Sequence, residues 1–283
     1  SQLEKPILIE GPPGVGKTEL ANTAALYFKK EMIRLQCYEG LDESKALYEW
    51  RYGKQLLYTQ ILKEQMQEVL EGAKGLKESL DRLMKFEDIF FSEDFLETRP
   101  LLEALTSEKG SVLLIDEVDK SDEEFEALLL EILSEFQISI PELGVRKADV
   151  KPLVVLTSNN SREIGDALKR RCLHLYIPFP DAKLERQIVQ ARVPEISESM
   201  QIQLVNFVQG IRELDLKKLP AISETIDWAK TVILLNSEEL DAKLAEDTLN
   251  VLLKHQQDIE VVKKEIPALV SSATETSDGK SLN

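Results

Sequence analysis

The residues with the clearest chemical potential lie at positions 11–18, which read GPPGVGKT. This stretch matches GxxxxGK[ST], follows an apolar segment and precedes a helical pattern, which is the context of a phosphate-binding loop. Glycines let the backbone point successive N–H groups inward, and the helix start adds partial positive charge. Lys17 is expected to reach the β- and γ-phosphates of a nucleotide, and the Thr18 hydroxyl to ligate Mg²⁺. The predicted nucleotide-binding residues are Gly11, Pro12, Pro13, Gly14, Val15, Gly16, Lys17, Thr18 and Glu19.

Two adjacent carboxylates, Asp116 and Glu117, supply the other half of the predicted site. They follow residues 112–115, four apolar residues that predict a strand buried on both faces. Open α/β sheets bind ligands at the carboxyl ends of their strands, so both acids are expected beside the phosphate loop. Asp116 is expected to hold Mg²⁺ through water, together with Thr18. Glu117 is expected to polarise the water that attacks the terminal phosphate.

Further acids follow directly after this pair: Asp119, Asp122, Glu123, Glu124 and Glu126. They stand at the start of a helical pattern, where negative charge complements the partial positive charge of the helix end. Additional metal ligands are one interpretation of these acids. A hydrated helix surface is the interpretation that we expect for most of them.

An asparagine and two arginines could complete a hydrolytic site. Asn159 follows a strand pattern at residues 153–156 and could align the attacking water, although an ordinary Asn-Asn-Ser turn is the alternative. Arg170 and Arg171 close a short helical pattern, where basic residues are favoured for electrostatic reasons alone. The functional alternative is an arginine finger, a cation that one subunit inserts into the nucleotide site of its neighbour. The residues alone do not decide between these alternatives.

Strand patterns alternate with helical patterns through the first 180 residues. This order predicts an α/β fold with a parallel sheet between layers of helices. An alternating pattern at 136–140, followed by a turn, predicts a hairpin before the Asn159 strand. Beyond residue 180 only helical patterns follow. We therefore expect a nucleotide-binding domain over residues 1–180, a smaller all-helical domain over 181–270 and a disordered tail over 271–283.

The composition argues against several classes of protein. With 35 basic and 51 acidic side chains the formal net charge is −16, which argues against broad nucleic-acid binding because a phosphate-binding face usually needs clustered Lys and Arg. No run approaches the roughly 18 apolar residues of a membrane span, and the N-terminus lacks a signal-peptide pattern. Cys37 and Cys172 have no metal-binding spacing. We expect a cytoplasmic protein whose two thiols are buried as small apolar groups.

In this order, the segments GPPGVGKTELA, VLLIDEVDK, VVLTSNN and DALKRRC resemble those of AAA+ ATPases. The predicted hairpin resembles the pre-sensor hairpin of one AAA+ branch. The segments LQCYEGLDESKALYEW and LTSNNSREIGDALKRRC are similar to the MoxR family, and within it to the carbon monoxide dehydrogenase accessory ATPases. The resemblance extends over residues 1–255. It implies a P-loop NTPase fold, with helices on both faces of a parallel sheet and an all-helical lid domain after it.

The resemblance also implies roles for individual residues. Lys17 and Thr18 match the Walker A motif, while Asp116 and Glu117 match Walker B. These four residues imply that ATP and Mg²⁺ are the ligands of the site. Hydrolysis of ATP to ADP and phosphate is the implied activity.

Three further roles follow from matching the sequence to the family by position. Asn159 matches sensor 1, the residue that aligns the attacking water. Arg171 matches the finger arginine, with Arg170 as the alternative. Sensor 2, a basic residue that starts a lid helix, is assigned to Lys218 or Lys217, although an arginine is commoner there in the family.

MoxR proteins resemble ring-forming chaperones that act with a von Willebrand factor A domain partner and help to mature metalloenzymes or assemble complexes. The resemblance implies a homo-hexamer that remodels a client protein. An arginine finger that one copy inserts into the site of the next also favours a ring. Head-to-tail contacts of this kind close into a ring when the rotation between neighbouring copies permits. Residues 41–105 are too long for a plain crossover and are a candidate contact region. The aromatic side chains Tyr38, Trp50, Tyr52 and Tyr58 line such a surface or pack in the core.

Three other classes of function stay open at this point. A P-loop small-molecule kinase would need an acceptor pocket and no group from a neighbouring subunit. A nucleic-acid-associated AAA+ motor is disfavoured by the acidic charge balance. A switch that binds nucleotide without hydrolysis is disfavoured because both acids, Asp116 and Glu117, are present.

Overall fold

The structure, a computed structural model, describes residues 4–70, 92–237 and 239–278. The chain divides into two units, residues 1–10 with 17–176 and residues 11–16 with 177–283. Every strand of the described residues belongs to the first unit, and the described elements of the second unit are helices.

A parallel sheet is the framework of the first unit. The nine strands of the described residues are β1 (Ile7–Glu10), β2 (Glu31–Gln36), β3 (Tyr48–Trp50), β4 (Leu96–Thr98), β5 (Ser111–Asp116), β6 (Gln137–Ile140), β7 (Gly144–Lys147), β8 (Leu153–Ser158) and β9 (Leu173–Tyr176). Five of them pair in the order β2-β5-β8-β1-β9, and each neighbouring pair is parallel. The predicted α/β fold with a parallel sheet is therefore confirmed.

Burial and register explain how this sheet gathers the predicted site. All six residues of β5 are buried, as expected for a strand that is covered on both faces. The register pairs Gln36 of β2 with Asp116, and Leu156 of β8 with Ile115. Because the strands are parallel, their carboxyl ends share one edge of the sheet. The polar residues that follow β5 and β8 therefore meet at that edge.

The described residues of the first unit form six α-helices. They are α1 (Lys17–Phe28), α2 (Glu43–Ala46), α3 (Tyr52–Leu70), α4 (Pro100–Thr106), α5 (Glu123–Glu135) and α6 (Asp166–Arg171). Apolar residues of α4 and α5, among them Leu101 and Leu129, are fully buried in the same hydrophobic core as apolar residues of the sheet. Strands β6 and β7 form an antiparallel hairpin, which confirms the hairpin predicted before β8.

Both cysteines are free and buried, which confirms their interpretation as small apolar groups. Burial raises the pKa of the Cys37 thiol to about 12 and that of Cys172 to about 11. Both side chains are therefore protonated thiols at neutral pH. They are poor nucleophiles, because the thiolate is the reactive form.

The described residues of the second unit form five α-helices: α7 (Ala182–Arg192), α8 (Glu198–Arg212), α9 (Ile222–Leu234), α10 (Ala242–Leu252) and α11 (Gln256–Asp278). Trp228 and Phe207 lie fully buried in its core, with ring centroids 5.2 Å apart. The indole nitrogen of Trp228 donates to Thr248 Oγ1 at 2.8 Å, so its polar group is paired as burial requires. None of the described helices has the length and apolar character needed to cross a lipid bilayer.

Helix α11 corrects the predicted start of the disordered tail. The polar sequence from residue 271 predicted disorder, but the helix continues to Asp278. Ala273 is buried in the helical core, and the Thr274 hydroxyl donates to the carbonyl oxygens of Val270 and Ser271 at 2.9 and 3.0 Å. The burial of Ala273, a residue too small to stand out as part of an apolar pattern, thus accompanies the continuation of the helix beyond residue 271. Residues 279–283 lie outside the described part of the chain.

A buried ion pair connects three helices of the second unit. Glu185 of α7 is 0% exposed, and its two carboxylate oxygens accept from Arg212 Nη1 and Nη2 at 2.6 and 2.8 Å. The Thr225 hydroxyl and the Gln209 amide add bonds of 2.8 and 2.6 Å. A buried charge is tolerated when it is paired in this way, and loss of one partner leaves the other uncompensated.

Replacement of Arg212 with Met is expected to destabilise the protein by about 3–5 kcal/mol, because Glu185 keeps its buried charge without a counter-ion. Urea unfolding measures the effect, with exposed Lys243→Met as the control. The double variant Glu185→Met/Arg212→Met should recover much of the loss, since it removes both charges. A double variant less stable than Arg212→Met alone would contradict this account of the pair.

Candidate functional site

The loop between β1 and α1 carries the predicted phosphate-binding residues. Gly14 and Gly16 have φ values of 73° and 94°, in the left-handed region that glycine adopts without a steric penalty. Lys17, the first residue of α1, is only 6% exposed. Burial lowers the pKa of its ammonium group, and nearby carboxylates, that of Asp119 foremost, oppose the shift. The buried lysine thus lies within the field of the acids that follow β5.

Asp116 ends β5 and is held from several sides. Its Oδ1 accepts from the hydroxyl groups of Thr18 and Thr157 at 3.3 and 2.5 Å. Its Oδ2 pairs with Arg34 Nη2 at 2.5 Å. Thr157 also accepts the backbone N–H of Glu117 at 2.9 Å. These bonds fix the carboxylate plane of Asp116 next to the start of α1.

Thr18 and Asp116 offer the hard oxygen donors that Mg²⁺ prefers. Neighbouring ligands of an octahedral Mg²⁺ lie about 2.9 Å apart, given metal–oxygen distances of roughly 2.0–2.1 Å. Thr18 Oγ1 and Asp116 Oδ1 are separated by 3.3 Å. The two predicted metal ligands therefore fit Mg²⁺, bound directly or through water.

Glu117 and Asn159 meet at the same edge of the sheet. Asn159 follows β8, and its Nδ2 donates to Glu117 Oε1 at 3.0 Å. Glu117 has φ 57° and ψ 49°, a left-handed conformation that costs a non-glycine residue on the order of 1–3 kcal/mol and that clusters at functional sites. Its side chain is 30% exposed, so solvent reaches the carboxylate. The structure thus brings the predicted base and the predicted water-aligning residue into contact.

Three polar residues that the sequence analysis did not single out contact the two acids. Gln36 Nε2 and Lys120 Nζ approach Glu117 Oε2 at 2.9 and 2.6 Å. Arg34, already bonded to Asp116, also donates to Gln36 Oε1 at 2.7 Å. One feature of the sequence could have indicated these contacts: Arg34 and Gln36 stand two residues apart near the end of β2, so their side chains lie on the same face of the strand. The strand order, which places β2 beside β5, was needed to interpret it.

The acids after Glu117 do not all form a hydrated surface. The exposed ones are Asp122, Glu123 and Glu124, as predicted. Asp119 and Glu126 are buried and are the two exceptions to a prediction that was made for most of these acids. Both carboxylates bind the segment that follows β8. Asp119 accepts the backbone N–H of Ser161 at 2.8 Å, and Glu126 pairs with Arg162 Nη2 at 2.5 Å. Bonds to these donors replace the water that each buried charge loses.

Arg170 and Arg171 lie at the end of α6 with exposed side chains. Arg171 Nε donates to Ser134 Oγ at 3.0 Å, and Nη1 donates to the carbonyl oxygen of Ala167 at 3.3 Å. Among the described residues, neither arginine bonds the two acids or Asn159. The structure therefore leaves both guanidinium groups on the surface of the first unit.

The remaining predicted residues are Glu19 and the two lysines. Glu19 lies in the first turn of α1, and its Oε2 accepts from Asn22 Nδ2 at 3.2 Å. Lys217 and Lys218 precede α9 in the second unit and are exposed. Their backbone N–H groups donate to the Asp258 carboxylate at 2.9 and 3.2 Å. The role of either lysine side chain as sensor 2 stays a prediction.

Two known proteins are similar in sequence to most of this chain. Over 221 residues the chain is 26% identical to the gas vesicle ATPase GvpN of Haloferax mediterranei, covering 74% of this chain and 57% of that protein. Over 219 residues it is 23% identical to an uncharacterized protein of Staphylococcus epidermidis, covering 75% of this chain and 70% of that one. The chain thus spans little more than half of the gas vesicle ATPase.

Solved structures show the same fold. RuvB, the Holliday junction branch migration motor of Thermotoga maritima, aligns with a TM-score of 0.51 at 17% identity, over 95% of this chain and 74% of that chain. A mutant of the same motor aligns with a TM-score of 0.50 at 16% identity, over the same shares. At this level of identity the likeness establishes the sheet and the helical region that follows it, and nothing about substrate.

A family profile covers the part of the chain that contains the site. The AAA domain (dynein-related subfamily) matches residues 6–172, which is more than half of the 283 residues. The matched span includes Lys17, both acids, Asn159 and Arg171. The chain therefore belongs to the dynein-related subfamily of AAA domains and carries an AAA+ ATPase domain.

Proposed function

We propose that the protein is a Mg²⁺-dependent ATPase that hydrolyses ATP to ADP and phosphate. The observation that carries this proposal is the 3.0 Å bond from Asn159 Nδ2 to Glu117 Oε1, beside the contact of Asp116 with Thr18. A base oriented by an amide, next to a pair of oxygen donors suited to Mg²⁺, is an arrangement that activates water close to a phosphate.

Each residue has a separate task in this proposal. Lys17 and the N–H groups of the loop before it bind the β- and γ-phosphates. Thr18 and Asp116 would hold Mg²⁺, which when bound offsets negative charge on the phosphates. Glu117 takes the proton of the attacking water as the new bond to the γ-phosphorus forms and the bond from that phosphorus to the β–γ bridging oxygen breaks, with ADP as the leaving group. Asn159 holds the Glu117 carboxylate in its orientation.

Glu117 keeps capacity for a water molecule despite its protein contacts. Each carboxylate oxygen has two acceptor sites. Gln36 and Lys120 approach Oε2, while Asn159 donates to Oε1. With the donors of the described residues counted, one acceptor site remains on Oε1, and the 30% exposure of the side chain gives water a path to it.

We further propose that copies of this chain form a ring in which Arg171, or Arg170 in its place, acts on the nucleotide of a neighbour. The exposure of both side chains supports this proposal. A contact that repeats head to tail closes into a ring when the rotation permits. Six copies are expected from the resemblance to MoxR proteins.

ATP hydrolysis in this ring is proposed to drive chaperone-like remodelling of a client protein in the cytoplasm, with a von Willebrand factor A domain partner. The client would be a metalloenzyme or a complex under assembly. Support comes from the resemblance to the carbon monoxide dehydrogenase accessory ATPases and from the similarity to a gas vesicle ATPase. Tyr38, Tyr52 and Tyr58 are exposed and available for such contacts, whereas Trp50 packs against the core.

Nucleotide binding tests the assignment of the site. Calorimetry should find Mg²⁺-dependent ATP uptake, and Lys17→Ala should weaken it at least about tenfold, since a hydrogen bond from a charged donor contributes about 1.5–3 kcal/mol. Lys109→Ala, an exposed lysine of the same unit, is the matched control. Unchanged ATP affinity in Lys17→Ala would refute the proposed site.

Turnover assays separate the proposed function from its rivals. Specific activity that rises with protein concentration would support a ring, whereas activity independent of concentration would favour a small-molecule kinase. Stimulation by DNA would favour a nucleic-acid motor. Capture from the native host with the Glu117→Gln variant and ATP would identify the client.

A further inference from the structure

Asp119 is a buried carboxylate close to the proposed site but outside its assigned residues. It is only 3% exposed. Its Oδ1 accepts the backbone N–H of Asn159 at 3.2 Å. Its Oδ2 accepts the backbone N–H and the hydroxyl of Ser161 at 2.8 and 2.5 Å. Three donors from the segment after β8 therefore converge on one side chain.

The charge of Asp119 is supported by these bonds. Burial alone raises the pKa of the carboxyl, but the hydrogen bonds from Ser161 and from the N–H of Asn159 outweigh burial and hold the pKa below its ordinary value. An ionised carboxylate has only acceptor sites, which suits three converging donors. A neutral amide in its place would turn a donor toward at least one of the N–H groups.

Asn159 is held at both ends by residues of the segment that follows β5. Its backbone N–H is bonded to Asp119, and its side-chain amide is bonded to Glu117. Asn160, which comes next, is in the left-handed region with φ 58°, so the segment turns sharply here. Without an acceptor at residue 119, two backbone N–H groups of this turn would lose their partners, and the turn would have other conformations open to it.

We propose that Asp119 is a positioning residue for ATP hydrolysis, which fixes the backbone of residues 159–161 so that the Asn159 amide meets the Glu117 carboxylate. The inference rests on the proposed roles of Asn159 and Glu117. In this proposal Asp119 acts on hydrolysis through Asn159 and is assigned no contact with the nucleotide or the attacking water. This positioning contribution to kcat therefore exists only while the Asn159 side chain is present.

Glu126 provides a matched control, because it is a second buried carboxylate that bonds the same segment farther along. Its Oε2 accepts the Gly165 N–H at 2.9 Å, and its Oε1 pairs with Arg162 Nη2 at 2.5 Å. It makes no bond to Asn159 among the described contacts. Loss of Glu126 disturbs the segment and removes a buried charge, but it leaves the backbone bond of Asn159 intact.

The test is a double-mutant cycle on kcat. Asp119→Asn and Glu126→Gln are each made alone and together with Asn159→Ala, and ADP affinity is measured by calorimetry. Asp119→Asn should lower kcat about 10- to 100-fold, with ADP affinity within about twofold of the wild type. In the Asn159→Ala background the same substitution should have almost no further effect on kcat. The effect of Glu126→Gln should be the same in both backgrounds.

Two results would overturn the inference while leaving the site intact: equal losses from Asp119→Asn in both backgrounds, or no loss at all in the presence of Asn159. If Asn159→Ala itself leaves kcat unchanged, the proposed role of Asn159 fails, and the inference fails with it. Should Asp119→Asn not fold, Ser161→Ala replaces it, because it removes the hydroxyl bonds to the carboxylate and the carbonyl oxygen of Asp119, at 2.5 and 3.4 Å, and keeps both backbone N–H bonds to the carboxylate. Its smaller loss of kcat should likewise disappear in the Asn159→Ala background.

Discussion

Replacement of Glu117 with Gln is expected to lower kcat for ATP hydrolysis by about 10²–10⁴-fold, the usual contribution of a general base. The amide has nearly the shape of the carboxylate, but it cannot take a proton from water. Asn159 donates to Oε1, while Gln36 and Lys120 approach Oε2. All three groups are donors, so the amide nitrogen faces a donor in either orientation. The substitution therefore removes both the basicity and part of the alignment.

ATP binding should survive in the same variant, because Lys17, Thr18 and Asp116 are unchanged. Phosphate release measures kcat, and calorimetry with Mg²⁺ and ATP measures affinity. Glu124→Gln is the matched control, since Glu124 is an exposed acid a few residues away and should retain full activity. Glu117→Gln protein that hydrolyses ATP at the rate of the wild type would show that another group is the base.

The loop and the two acids were predictable because each is encoded by a short, local pattern. The apolar residues 7–9 and the GxxxxGK[ST] match at residues 11–18 specify strand, turn and helix start without long-range information. The acids after β5 followed from a rule about where parallel strands end. That rule also located Asn159, because β8 lies next to β5 in the sheet.

The contacts of Arg34 and Gln36 were not predictable in the same way. They depend on β2 pairing with β5 across about 80 residues, in a register that sets Gln36 beside Asp116. A one-residue shift of that register would turn both side chains to the other face of the sheet. No local pattern in the sequence specifies it.

The buried acids show a different limit of sequence reasoning. Acidic residues at a helix start are usually exposed, and Asp122, Glu123 and Glu124 follow this rule. Asp119 and Glu126 depart from it because the segment after β8 supplies donors to them. Whether an acid is hydrated or buried thus depends on a partner about 40 residues away, which composition and periodicity do not reveal.

Arg171→Ala is expected to lower kcat by about 10³–10⁵-fold, the range measured for arginine fingers, while ADP affinity stays unchanged. The physical reason is that the guanidinium offsets charge that develops on the γ-phosphate only during transfer. Within its own chain Arg171 contacts Ser134 and the backbone of Ala167, so its loss should leave the fold intact. Arg170→Ala is the matched control on the adjacent residue, and a larger effect there would transfer the proposed role to Arg170.

Mixing two inactive variants distinguishes action on a neighbour from action within one chain. Arg171→Ala subunits keep an intact binding loop, and Lys17→Ala subunits keep an intact finger. In a randomly mixed ring at equal ratio, about one quarter of the interfaces join a good loop to a good finger, whatever the number of subunits. Activity should therefore rise to about a quarter of the wild-type value and peak at the equal ratio. Mixtures that stay inactive at every ratio would show that Arg171 does not act across an interface, and the ring would lose its main physical support.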